Sequence, residues 1–445
     1  MKRKMFRVTS IVLASSLVFG LAACGTGSSS SNETAVSSTV NSSAGKSSDV
    51  KPITLKSWNI WVNDTDVRKI QYTEIVNEYE TKFPHIKIET EAVENETYKT
   101  KLKTSIAAAE VPDVFFTWTA GFGKPFVDAG KVLCLDDYYK KDGMGDKYIN
   151  EGILSNAKYD GKLYAFPFAM NMAVLYCNKE MFDTNGIKIP DTYDELIAAV
   201  KAFRAKGIGP ITIAEKERWP GIHWYDSLAL RTAGVQNCID TLSKKASFEQ
   251  PEFIDAAAKL DELVKEKAFV DGAMGLSFDE AEQMFLLGKA PMYYMGDWSA
   301  SGVDGENSKV RGKVVVKNFP MVTGGKGDPN DFFGGSGDGF MVSAEIQDKD
   351  AAVGFAEYLA EGMSAKGYRD GSNLPPFKVS GESKMNPTMA QIKDLAANTK
   401  GSIIWWDVFL EGADADTHKN LVAEVFAGKL TPQDYAKEMQ KLNQK

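Results

Sequence analysis

Two periodicities share the chain from Ile53 onward. Ile53-Thr-Leu-Lys-Ser-Trp58 alternates apolar and polar residues, which predicts a strand with one buried face. Val67, Ile70, Ile75, Val76, Tyr79 and Phe83 then recur at helical spacing, and Pro84 ends that segment. His85-Ile-Lys-Ile-Glu89 alternates again, a helix is predicted through Lys101–Ala109, and Pro112-Asp-Val-Phe-Phe-Thr-Trp118 has the look of a buried strand. This order implies a mostly parallel sheet with helices on both faces. Asp160-Gly161 signals a hairpin between Ala157-Lys-Tyr159 and Lys162–Phe166.

A second α/β series follows the hairpin. Thr192-Tyr-Asp-Glu195 is a capping box whose helix ends near Gly207, and Gly209–Ala214 is predicted as a strand. Pro251 stands where a helix should start, and Ser277-Phe-Asp-Glu280 is another capping box. Pro291–Met295, Val314–Val316 and Gly339–Val342 are predicted strands, and Thr431-Pro432 opens a last helix. No repeat of fixed period is present. Two doubly wound lobes would place a ligand in the cleft between them, outside the carboxyl ends of their strands.

The first 24 residues differ from the rest. Lys2, Arg3, Lys4 and Arg7 precede an apolar run from Val8 to Gly20, and Leu21-Ala-Ala-Cys24 follows. That is a secretory signal, and its apolar run is too short for a membrane-spanning helix. Leu-Ala-Ala-Cys resembles the bacterial lipobox, which implies cleavage before Cys24 and lipidation of its thiol. A diacylglyceryl group would hold the protein stably at the outer face of a bacterial cell membrane. Residues 25–50 contain ten serines and almost no large side chain, so they are expected to form a disordered tether.

The remaining length suggests two domains. The 445-residue chain carries a formal charge of −8; its first 24 residues hold four basic and no acidic ones, so the rest is near −12. Such an acidic balance speaks against nucleic acid as a partner. Beyond Cys24 only Cys134, Cys177 and Cys238 remain, an odd number that argues against a disulfide framework. Cys134 and Cys177 lie in apolar runs and are expected to be buried thiols.

Signatures of catalysis are scarce. Gly334-Gly-Ser-Gly-Asp338 is neither a nucleophile elbow nor a dinucleotide fingerprint, and no His-Glu-x-x-His or phosphate loop occurs. The three histidines are far apart, so neither a metal nor another cofactor is expected. His85 and His418 are expected at the surface, whereas His223 stands between two tryptophans as a candidate ligand contact. A glycoside hydrolase needs two facing carboxylates, and 60 acidic residues offer pairs by chance without singling one out.

The tryptophans carry more information. Trp58 and Trp61 end the first strand and precede Asn63 and Asp64, while Trp118 ends the Pro112–Trp118 strand. Trp219 and Trp224 follow the Gly209–Ala214 strand, Trp298 follows Gly296-Asp297, and Trp405-Trp406 lie near the C-terminus. Any one of them could be an ordinary core residue. Several, however, sit just past a strand's carboxyl end, where they could cover the C–H face of a sugar ring.

Asp113–Trp118, Phe126-Val-Asp-Ala-Gly130 and Leu135-Asp-Asp-Tyr138 resemble the first lobe of sugar-binding proteins of ABC importers. Gly161–Phe168, Leu175-Tyr-Cys-Asn-Lys179 and Gly288-Lys-Ala-Pro-Met292 before Gly296-Asp-Trp298 extend the likeness. The chain is similar in this way to extracellular solute-binding proteins of the maltose-binding-protein type.

That resemblance implies an α/β, two-lobed periplasmic-binding-protein-like fold of type II. Its lobes would comprise residues 51–164 with 318–362, and 165–317 with 363–445. Three crossings are expected near Tyr164–Phe168, Val314–Pro320 and Met363–Pro376. The implied function is binding of an oligosaccharide and its delivery to the permease subunits of an ABC importer by a monomer that catalyses nothing. The alternatives are a secreted glycoside hydrolase and a lectin-like receptor without transport. Sugar-stacking positions would be Trp118, Trp219 or Trp224, Trp298, and Trp405 or Trp406, with Trp61 and His223 also near the ligand. Polar contacts would be Asn63, Asp64, Asp297, Asp338 and Arg369.

Overall fold

The computed structural model describes residues 51–381 and 385–444. The secretory signal, Cys24 and the serine-rich tether lie outside the described residues. In its first half the chain forms β1 (Ile53–Asn59), β2 (Ile86–Ala92), β3 (Val114–Trp118), β4 (Lys158–Tyr159), β5 (Lys162–Leu163) and β6 (Phe166–Asn178). The second half adds β7 (Ile211–Thr212), β8 (Met292–Gly296), β9 (Val314–Lys317), β10 (Phe332–Val342) and β11 (Ser402–Ile403).

One sheet runs in the order β2-β1-β3-β10-β6-β8-β7, with β11 added to β10 and β9 to β6. Pairing is parallel at both ends, between β1 and its neighbours β2 and β3 and between β7 and β8. In the middle it is antiparallel: β10 against β3 and β6, and β6 against β8 and β9. The mostly parallel sheet expected from the element order therefore holds only at the two ends. Strands that cross between the halves return in the opposite direction.

Strand β6 pairs with strands from both parts of the sheet. Its Phe166–Met172 stretch pairs with β10 and its Ala173–Cys177 stretch with β8. Twelve of its thirteen residues are buried, and the sequence FPFAMNMAVLYCN has no polar face to offer water. Strand β10 can lie against it because of glycine. Gly334 has φ of +142°, and a Cβ there would come within 2.2 Å of the Asn171 carbonyl oxygen.

Helices cover the sheet where the pattern places them. Asp66 caps the helix Val67–Lys82, accepting the Arg68 N–H at 2.8 Å, and this helix buries Tyr72, Ile75, Val76 and Tyr79. Ser277 and Glu280 form a complete capping box before the helix Phe278–Leu286. At Thr192 only half of the expected box forms: its Oγ1 accepts the Glu195 N–H, but the Glu195 carboxylate takes the Asp191 N–H. The helix expected through Lys101–Ala109 starts earlier, at Asn95, with Glu94 accepting the N–H groups of Glu96 and Thr97.

Three local expectations are corrected. The strand expected over Gly209–Ala214 shrinks to β7, and Trp219 and Trp224 lie on the helix Trp219–Ala233. Cys134 is only partly buried, whereas Cys177 and Cys238 are enclosed. His418 is not at the surface. It lies wholly buried on the helix Ala413–Phe426, with Nε2 2.8 Å from Asp226 Oδ1 and Nδ1 3.0 Å from the Tyr435 hydroxyl. A ring that donates from Nε2 and accepts at Nδ1 satisfies both contacts. The polar neighbours in sequence had pointed outward, but Ala415, His418 and Val422 share the inner face of this helix.

His418 is the protein partner that lets Asp226 stay inside. Burial pushes the Asp226 carboxyl up to about 6, and the interaction with His418 opposes that rise. Exchanging His418 for Leu leaves that carboxyl without its partner. We expect urea denaturation to show a loss of about 3 kcal/mol at neutral pH, since breaking a buried pair costs roughly 3–5 kcal/mol. A variant as stable as the wild type would contradict this.

Candidate ligand-binding site

An aromatic wall forms where the start of one helix meets two strand ends. The helix Trp219–Ala233 opens with Trp219-Pro220, and Arg218 before it adopts a left-handed conformation with φ of 63°. Four residues along, on the same face, His223 lies 5.2 Å from Trp219, centroid to centroid. The His223 ring stacks on Trp405 at 4.8 Å and 18°. Trp405 in turn meets Phe333 of β10 edge-on at 4.8 Å and Trp298 at 5.6 Å. Trp298 closes the set by approaching Trp219 at 6.2 Å. Its indole folds back over Gly296, where a Cβ would lie 2.2 Å from the ring.

Helical spacing also separates the paired tryptophans. Trp224 is one residue past His223 and points to the opposite side, where Phe269, Tyr294 and Phe319 enclose it. Trp406 likewise turns away from Trp405 into a core formed with Tyr225, Phe248 and His418. Of each pair, Trp219 and Trp405 are the members that join the wall.

Asn171 of β6 and Asp338 of β10 meet polar groups from helices and strand ends. Arg68 donates from Nη2 to Asn171 Oδ1 at 2.9 Å and from Nη1 to Asp338 Oδ2 at 3.3 Å, and Asn171 Nδ2 donates to the same Asp338 oxygen at 2.9 Å. Asp297 is fully buried. Its Oδ1 accepts the Met172 N–H at 3.3 Å, while Oδ2 has no hydrogen-bond partner among the described residues. Burial, reinforced by the charge of Asp338 and opposed by Arg68, pushes its carboxyl up to about 7. Burial together with the nearby Asp279 and Asp66 pushes Glu282 to about 7 as well. Glu215 is buried with neither carboxylate oxygen hydrogen-bonded among the described residues, and it presses against Gly221, where a Cβ would come within 2.0 Å of Oε2. Desolvation lowers His223 to about 3, so at neutral pH the wall holds a neutral imidazole, whose Nδ1 is also unpartnered.

Flat apolar faces beside acceptors with spare capacity suit a ligand that has a C–H face and a rim of hydroxyl donors. Carboxylates outnumber cations here, so an anionic ligand is disfavoured. Among the described residues, no group of three His, Cys, Asp or Glu is placed to hold a metal ion.

The other candidates do not join the aromatic wall, although Trp118 lies directly across from Asp338 in the β3–β10 pairing. Trp61 is buried in the core of the first half, among Tyr72, Phe116, Phe168 and Phe340. Trp118 packs on Phe116 and Phe122 beneath the Lys99 ammonium. Asn63 is exposed and bonds Thr65, and Asp64 is exposed and pairs with Lys69 at 2.6 Å. Arg369 is exposed on the last turn of the helix Lys349–Asp370. Sequence reasoning overlooked Arg68, Asn171, Glu215, Glu282 and Phe333. Only Asp66, the cap two residues before Arg68, left a local signal.

Comparison with known proteins follows the same lines. The family described as bacterial extracellular solute-binding protein matches residues 67–361. A multiple sugar-binding protein of Streptococcus mutans is 25% identical over 311 residues, spanning 68% of this chain and 70% of its own length. A structure from work on xylan utilization by the thermophilic bacterium Caldanaerobius polysaccharolyticus superposes with a TM-score of 0.84 at 44% identity, over 87% of this chain and 99% of that one. A chitin oligosaccharide binding protein gives a TM-score of 0.82 at 26% identity, over 88% and 98%.

The raised Asp297 carboxyl has a measurable consequence. A carboxyl whose folded pKa exceeds its unfolded value favours the folded state most at low pH, and that contribution is lost as pH rises towards the folded pKa. Stability of the wild type relative to Asp297→Asn should therefore fall between about pH 4 and about pH 7, then level off. The slope should reach on the order of 1 kcal/mol per pH unit. Urea melts across that range check it, and a difference independent of pH would contradict the assignment.

Proposed function

The chain belongs to the bacterial extracellular solute-binding proteins, and on that premise we propose that it captures a xylan-derived oligosaccharide for an ABC importer. The observation that carries the reading is the wall of Trp219, His223, Trp298 and Trp405 set beside the unpartnered carboxylate oxygens of Asp297 and Glu215. Sugar C–H faces stack on the rings, and hydroxyls donate to the carboxylates, which recover the hydrogen bonds they lack without ligand. The 44% identity to a structure from work on xylan utilization supports that sugar class. A chitin oligosaccharide is the second reading, favoured by the other close structural likeness.

In this reading the lobes are residues 51–164 with 318–362, and 165–317 with 363–445, and the three crossing segments act as the hinge. A ligand that touches both lobes favours the closed state through its differential affinity for it. Small-angle scattering should show a smaller radius of gyration once the oligosaccharide saturates the protein. The carboxylates serve as hydrogen-bond acceptors and not as an acid–base pair, so purified protein should leave the chain-length distribution of added oligosaccharides unchanged. Cys24 is the proposed lipid anchor. Its replacement by Ala should move the protein out of the membrane fraction or leave its signal uncleaved.

Two tryptophans separate binding from folding. Trp298 is half-buried in the wall, and Trp298→Ala should weaken oligosaccharide binding by about 2–4 kcal/mol, as for an aromatic hot spot. Trp224 is enclosed in the core, and Trp224→Ala should cost roughly 3–5 kcal/mol of stability in the ligand-free protein. Calorimetric titration with xylo-oligosaccharides and urea melts read the two effects. Unchanged affinity in Trp298→Ala would remove it from the site.

A further inference from the structure

A second concavity is lined by residues other than those of the aromatic wall. It has a volume of about 350 Å³ and is bounded by the helices Asn95–Ala107 and Ala413–Phe426 and by the segment after β3. Ile106, Phe122, Phe126, Leu410 and Ala415 form an apolar floor. Its rim carries Lys99, Lys103, Lys131 and Lys419, with Asp407 and Asp416.

The four ammonium groups are not equivalent. Lys99 and Lys419 are held by Glu96, and each also by one of the rim aspartates, Asp407 for Lys99 and Asp416 for Lys419. Lys131 pairs with Glu345 at 2.6 Å. Lys103 makes no ion pair among the described residues, and its ammonium sits 5.4 Å over the Phe122 ring. An ammonium has three donors, and a ring face leaves most of that capacity free. The space is at the small end of ligand pockets, which run from about 300 to 1,000 Å³.

We propose that this groove is a second ligand site, which takes a small organic anion with a flat apolar body. The apolar body covers Phe122, Phe126 and Ala415, and the anionic group meets Lys103 in a charge-assisted bond. A neutral apolar molecule would leave the Lys103 donors unanswered. An inorganic anion would leave the floor wet. The site is independent of which sugar the aromatic wall binds.

Anilinonaphthalene sulfonate serves as the probe, titrated into the purified protein and followed by fluorescence. Saturable binding is expected in the wild type, at least about tenfold weaker in Lys103→Glu and in Ala415→Trp, and unchanged in Lys162→Glu, an exposed lysine of the β5 hairpin. A tenfold change corresponds to the loss of one good polar contact. The neutral, unsulfonated amine should also bind about tenfold more weakly to the wild type, a comparison that needs no variant to fold. Wild-type binding that no groove substitution weakens would overturn the site. Equal affinity for the sulfonate and the neutral amine would overturn the anionic class. Absence of saturable binding would overturn both.

Discussion

The close pairing of β6 with β10 is the constraint on which the rest of the molecule depends. Strand β6 is buried along almost its whole length, so it can exist only between neighbours on either side and beneath covering helices. Strand β10 meets it through Gly334, whose backbone angles and contact with the Asn171 carbonyl exclude a side chain. The pairing slips in register around Asp338, and that slip coincides with the place where Asp338 engages Arg68 and Asn171. A buried polar knot thus sits at the point where the two ends of the sheet are joined. Its members satisfy one another, which is the condition for polar groups to remain inside.

The proposed ligand site grows from that junction and holds acids that burial disfavours in their charged form. Asp297 lies one residue past β8, with one oxygen tied to the β6 backbone and the other unbonded. Glu215 and Glu282 are likewise carboxylates held where desolvation disfavours their charge. They make sense as acceptors prepared for hydroxyl donors, since orienting them in advance removes an ordering cost at binding. The neutral His223 has a related part, stacking on Trp405 and so fixing the plane that a sugar ring would meet.

Much of the fold was legible in the sequence because it rests on local chemistry. Ser277 caps a helix, Pro251 and Pro432 open others, alternation marks β1 and β2, and a continuous apolar run marks β3, all within a few residues of chain. The candidate site was legible only in part. That tryptophans after strand ends gather near one place could be argued from their order. Which member of Trp219/Trp224 or Trp405/Trp406 joins the wall could not, because the choice depends on helix phase against distant elements. His418 shows the same limit: its polar neighbours suggested solvent, and the helix face that packs on Asp226 and Tyr435 put it inside.

The sequence by itself determined many of the strands and helices in order, the two-lobed α/β class and the family, because periodicity, caps and motifs are properties of neighbouring residues. Only the tertiary structure decided that the sheet turns antiparallel where β6 and β10 cross. It alone paired Arg68 with Asp338, 270 positions away, and left Asp297 and Glu215 buried with oxygens to spare. Desolvation and long-range pairing depend on what surrounds a side chain in space, and among 60 acidic residues no local pattern marks those few.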